Sequence, residues 1–170
     1  MIIMGIDPGL SFTGFGVVEK DGDTLRPFGF GGITTSSKDS MSFRLAKIYG
    51  EVKELVERYQ PDLLVLEALF FNTNVRSAML VGQARGGIIL AAEHSGIAVE
   101  EYTPLQVKQC LVGHGRADKN QVKYMVRTLL HIEEDIKSSH ASDALALAIC
   151  HAHHEKMRRQ VEAAVRRPKP

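Results

Sequence analysis

The chain is poor in cysteine, with two in 170 residues, Cys110 and Cys150. That excludes a disulfide framework and leaves no CxxC pair. Both lie in apolar, helix-like segments and read as free structural thiols, which suits a reducing compartment. Long apolar runs are also missing: no stretch approaches the roughly 20 residues that span a bilayer. The N-terminus has no basic segment leading into a long apolar one. These absences predict a soluble, cytoplasmic protein with no membrane attachment. Internal repeats and low-complexity segments do not occur before the C-terminal residues.

Net charge is nearly absent too, at +1, but it is unevenly spread. Residues 156–170 hold six Lys or Arg against Glu162 and carry +5, which leaves −4 on residues 1–155. An acidic body can still meet nucleic acid through local basic patches. One such patch spans 104–127, where Lys108, Arg116, Lys119, Lys123 and Arg127 oppose only Asp118. What the chain does have is apolar residues, 44% of the total, enough for one domain with a proper core.

Apolar runs and turn residues predict strands over 2–7, 13–20 and 24–33, the last interrupted by Pro27 and several glycines. From 42 to 59, Leu45, Ile48, Tyr49, Val52, Leu55 and Val56 recur at helical spacing. Leu63 to Leu66 shows no alternation, as expected of a strand covered on both faces. A helix follows over 74–93, with a small-residue centre at Ala78, Gly82, Ala84, Gly86 and Gly87 that suits close packing. Next come a strand over 97–102 and helices over 104–111 and 118–131. Ser138 or Ser139 is expected to cap a last helix over about 140–157. The order is βββαβαβααα, an antiparallel three-strand meander followed by two strands entered through helical crossovers.

Asp7 ends the first strand and a Pro-Gly turn follows at once. An Asp in that place also suits a simple turn former. Glu67 follows four apolar residues, and a carboxylate there needs a salt-bridge partner or a metal. His140 and Asp143, three apart, occupy neighbouring parts of one helix face. The three segments converge if strands 2–7 and 63–67 are adjacent and parallel and the last helix crosses their ends. Carboxylates are hard ligands for Mg²⁺ or Mn²⁺, and Asp7 could bridge two ions roughly 4 Å apart. One ion would activate water and the other would stabilise the leaving oxygen, while His140 would ligate or transfer a proton. His151, His153 and His154 lack a convincing fourth zinc ligand and read as solvated helix residues.

GIDPG at 5–9, TGFGVV at 13–18, PDLLVLEALFF at 61–71, GQARG at 82–86, VKQCLVGHGRADKNQVKYMVRTLL at 107–130 and HASDALALAICHAH at 140–153 form an ordered set. That set resembles the RuvC family of Holliday-junction resolvases. The resemblance covers residues 1–155 as a nuclease domain and leaves 156–170 as a basic tail, read as partly disordered. It implies a ribonuclease-H-like α/β fold whose five-stranded mixed sheet is flanked by helices. It also implies a homodimer cutting four-way junction DNA symmetrically, with divalent metal, to leave ligatable ends in recombination and repair. Cooperation with the RuvAB branch-migration complex is implied as well.

By position, Asp7, Glu67 and Asp143 match the family's catalytic acids. The last motif often reads DAAD and here is His140-Ala141-Ser142-Asp143, which leaves His140 open as direct ligand or proton shuttle. Phe70 matches the aromatic that meets unstacked bases; Lys108 and Lys119 match residues near the scissile DNA, and Arg76 the backbone. Arg116 and Lys123 join them as DNA-binding candidates through the basic patch.

Three other readings compete. An actin-like or sugar-kinase ATPase starts with a similar acidic strand but needs a duplicated second domain. A ribonuclease-H-like enzyme of ribosomal RNA maturation is closer, yet the Phe70 segment, GQARG and the basic 107–127 region favour the resolvase. A non-catalytic junction binder would not need Asp7, Glu67 and Asp143 together.

Overall fold

The structure is a computed structural model that describes residues 1–68 and 75–165, with side chains described except at 75, 76 and 156–165. The elements are β1 (Ile2–Asp7), β2 (Phe12–Asp21), β3 (Thr24–Thr34), α1 (Met41–Tyr59), β4 (Leu63–Glu67), α2 (Val75–His94), β5 (Ala98–Tyr102), α3 (Pro104–Val112), α4 (Lys119–Leu130) and α5 (Ser139–Val165). They form one sheet in the order β3-β2-β1-β4-β5. β1, β2 and β3 pair antiparallel, and β1–β4 and β4–β5 pair parallel. This is the five-stranded mixed sheet of a ribonuclease-H-like fold.

Local chemistry sets the element ends. The Ser40 side chain accepts the Phe43 N–H at the start of α1, and Gln60 closes that helix in the left-handed region at φ 47°. Just beyond, Asp62 Oδ2 accepts the Ile2 N–H at 2.6 Å, which ties the entry of β4 to the start of β1. Thr103 with Gln106 and Asp118 with Gln121 make reciprocal capping boxes on α3 and α4. Ser138, not Ser139, caps α5, accepting the Ala141 N–H at 3.3 Å.

Two expected details differ. β3 is continuous through Pro27, because it is an edge strand and Pro27 faces Val18 where the β2–β3 register shifts. α5 runs to Val165 rather than ending near residue 157. The added residues are mostly good helix formers.

The strands alternate between two cores. Met4, Ile6, Leu64 and Leu66 face Ile48, Val52 and Val56 of α1 and Ala84 and Ile88 of α2. Ile3 and Val65 face the other way, toward α3, α4 and α5. Among the described residues no helix is long and apolar enough to cross a membrane.

α5 lies directly on the sheet because three strand positions, Gly5, Gly14 and Gly16, carry no side chain. A Cβ on Gly5 would overlap the carbonyl oxygen of Ala144. One on Gly14 would overlap the carbonyl of His140 and meet its Cβ at 2.8 Å. Glycine at these positions lets the N-terminal turn of α5 reach the end of β1.

Candidate active site

Asp7 and Glu67 end neighbouring parallel strands whose pairing runs to Ile6 opposite Leu66. Both carboxylates therefore leave the same rim of the sheet side by side. The turn after Asp7 is clamped from within: Thr13 Oγ1 donates to the Gly9 carbonyl at 2.7 Å and Thr13 is fully buried. α5 brings His140 and Asp143 across that rim. Asp7, Glu67, His140 and Asp143 line one cleft of about 390 Å³, together with Lys108 of α3 and Lys119 of α4. Pro104, Val107, Val122, Ala146 and Leu147 provide its apolar wall.

His140 Nδ1 lies 2.6 Å from Asp7 Oδ2. An ionised carboxylate only accepts, so Nδ1–H donates and Nε2 keeps a lone pair when the ring is neutral. The Phe12 ring supports the imidazole at a centroid distance of 5.2 Å. Lys119 Nζ, on an exposed side chain, stands 3.7 Å from Oδ2 of the partly buried Asp143.

The acids are crowded and short of positive charge. Burial, then repulsion from Asp7 and Asp143, pushes the Glu67 carboxyl up to about 7, against the smaller opposing pull of Lys119 and Lys108. Burial raises Asp7 despite its hydrogen bond from His140, and burial raises Asp143 despite Lys119. Three carboxylates held above their ordinary range call for a cation, and an all-oxygen acid set fits Mg²⁺ or Mn²⁺. Among the described residues, this set does not draw three ligand atoms within 4.8 Å of one another.

The structure thus brings six of the expected site residues together: Asp7, Glu67, His140, Asp143, Lys108 and Lys119. Arg116 is exposed on the loop between α3 and α4. Lys123 stands apart from the cleft, its Nζ 2.7 Å from Asp135 Oδ1. Phe70 and the side chain of Arg76 lie outside the described residues. Two supports escaped sequence reasoning. Arg85 is buried, donates to the Glu67 carbonyl at 3.2 Å and pairs with Glu101, so it anchors the end of β4. Its signal was an arginine amid the small residues of GQARG, a setting in which a buried guanidinium needs acceptors. Phe12 had no comparable signal, since only the packing of α5 over β2 sets it against His140.

A family model described as crossover junction endodeoxyribonuclease RuvC matches residues 3–151. The crossover junction endodeoxyribonuclease RuvC of Alkaliphilus oremlandii is 49% identical over 153 residues, covering 90% of this chain and 93% of the relative. The solved structure of Thermus thermophilus RuvC superposes with a TM-score of 0.86 at 38% identity, covering 93% of this chain and 97% of that one. T. thermophilus RuvC in complex with Holliday junction substrate gives 0.85 at 35% identity, covering 92% and 96%. With the acids of β1, β4 and α5 gathered on the same fold, the chain belongs to the crossover junction endodeoxyribonuclease RuvC family.

Proposed function

We propose that this chain is a structure-selective endodeoxyribonuclease that resolves four-way DNA junctions by hydrolysing phosphodiester bonds. The convergence of Asp7, Glu67, His140 and Asp143 in one cleft flanked by Lys108 and Lys119 carries the reading. Asp7, Glu67 and Asp143 would hold Mg²⁺ or Mn²⁺, two ions per site. When bound, these ions supply an activated water and stabilise the leaving oxygen. Lys108 and Lys119, on two different helices of the cleft, would hold phosphate oxygens and fix the strand. His140 is oriented through Nδ1 by Asp7, so its Nε2 is the atom available to ligate or to carry a proton.

The same proposal covers the assembly. Two matched cuts need two sites, and a two-fold homodimer supplies them to a roughly two-fold junction. The outward face of α2 exposes Met79 and Leu90, at 63% and 54%, with open space above Gly86 between them. This apolar stripe with a small residue at its centre supports α2 as part of the interface. Residues 1–155 form the nuclease domain, with 156–170 adding affinity for DNA but no chemistry. Symmetric cutting that leaves ligatable nicks, cooperation with the RuvAB branch-migration complex and action in the cytoplasm complete the reading. Phe70 and Arg76 would meet opened bases and backbone, and Arg116 and Lys123 would add to the basic face.

The direct test is cleavage of a synthetic four-way junction with Mg²⁺ or Mn²⁺, beside linear duplex and a ribosomal RNA precursor. Wild type should cut the junction in paired symmetric positions. Asp7→Asn, Glu67→Gln and Asp143→Asn should each lower turnover by about 100-fold or more, the scale of losing a principal electrostatic contributor, while retaining junction binding. Cleavage of RNA with the junction untouched would overturn the assignment.

A further inference from the structure

A second cluster of ligand-bearing side chains lies away from the carboxylates, where α3 packs on α5. Cys110 is on α3; Cys150 and His154 are on α5, four apart and so on one helix face. Their ligand atoms, two Sγ and one imidazole nitrogen, all lie within 4.8 Å of one another. His153 Nδ1 lies 3.6 Å from Cys110 Sγ but is not one of this mutually close set. Both cysteines are free thiols, Cys150 fully buried and Cys110 half-buried. Zn–S and Zn–N bonds of about 2.3 and 2.0–2.1 Å put neighbouring ligands of a tetrahedron about 3.5–3.8 Å apart. The three ligand atoms, within 4.8 Å of one another, need close by at most about 1 Å to reach that spacing.

The surroundings sort the three histidines. His151 Nδ1 is taken by the Tyr102 hydroxyl at 3.1 Å. The same Tyr102 ring packs against His154 at a centroid distance of 5.0 Å and holds that imidazole beside the thiols. His153 turns to Cys110. The partners that the histidines lack in the sequence are the cysteines, which the fold supplies.

We infer that Cys110, Cys150 and His154, with water in the fourth position, bind one thiophilic divalent cation of the zinc type, separate from the hard-ion site of the acids. Two thiolates and imidazole select such an ion over Mg²⁺ or Mn²⁺. Binding removes the protons of both thiols to solvent. The ion would staple α3 to α5. Cys110 follows Lys108 by two residues, and Cys150 lies about 10 Å along α5 from Asp143. The staple therefore fixes the helix that presents Lys108 relative to the helix that presents His140 and Asp143.

The test uses the full chain, metal-free and kept reduced by a non-thiol reductant, titrated with Co²⁺. A thiolate-to-cobalt charge-transfer band should appear, saturate at one Co²⁺ per chain and vanish when Zn²⁺ is added. Cys110→Ser leaves the Cys150 thiolate as the sole sulfur ligand, so the band should fall to half or less and Co²⁺ binding weaken by more than about tenfold; because Cys110 is only half-buried, this variant keeps the test clear of the folding risk at Cys150. His154→Ala should weaken Co²⁺ binding by more than about tenfold, the least that even an outer-shell partner contributes. Asp7→Asn should leave the band intact. Absence of the band at saturating Co²⁺, an undiminished band with unchanged affinity in Cys110→Ser, unchanged affinity in His154→Ala, or loss of the band in Asp7→Asn would each overturn the site.

Discussion

Glu67 shows how a single residue can serve a site at the expense of the fold. Its carboxyl titrates near 7 in the folded chain against an ordinary value of 4.5. Between those values the folded chain binds more protons than the unfolded one, so this group's contribution to stability falls as pH rises through the window. A salt-bridged glutamate would behave in the opposite way. Glu67→Gln should therefore raise the Tm of the metal-free protein at pH 8, and the gain should shrink toward pH 5. Thermal melts in EDTA at the two pH values check this; destabilisation at pH 8 would show a structural ion pair instead. Gly14 makes a complementary case. Gly14→Ala puts a methyl into the backbone of His140, so α5 must shift, at the 1–3 kcal/mol typical of overpacking. The melt should show that loss, and junction cutting should fall more than junction binding because His140 leaves its place beside Asp7.

α3 and α4 carry the lysines that face the acids, and their worth is measured through salt. Removing one lysine–phosphate interaction should lower the log–log salt slope of junction binding by about 1. Neutralising Lys108 or Lys119 should do this and weaken cutting; an unchanged slope with unchanged cutting would mean solvated lysines. Deleting residues 160–170 removes basic charge from the end of the chain. It should weaken binding at low salt yet spare turnover at saturating protein. α5 is the element on which most depends. Its Ala141, Ala144 and Ala148 are buried, and small side chains there match Gly5 and Gly14 across the contact. That match brings the helix N-terminus to the strand ends. Further along, the same helix meets α3 at the two cysteines.

At the scale of the molecule, a two-fold pair of sites is the expected working unit. Sedimentation should give about twice the chain mass. Met79→Glu together with Leu90→Glu should yield monomers that keep their fold, since both side chains point outward, while losing paired cutting. A dimer unchanged by those substitutions would place the interface elsewhere.

Element order was legible in the sequence, as were Asp7, Glu67, His140 and Asp143 as a candidate set; the parallel pairing of β1 with β4, the condition for their convergence, came from the fold. Apolar period, caps and turn residues are local signals, and a charged residue ending an apolar strand is conspicuous. The edge position that tolerates Pro27 was not legible, because it depends on which strand closes the sheet. Nor was the buttressing of Glu67 by Arg85, or of His140 by Phe12, since each pairs residues distant in sequence. The two cysteines illustrate the division most plainly. By sequence they are two unrelated thiols in two helices. Helical spacing alone sets Cys150 beside His154, but only the packing of α3 on α5 brings Cys110 to them, because proximity between distant helices is set by how their apolar faces share one core.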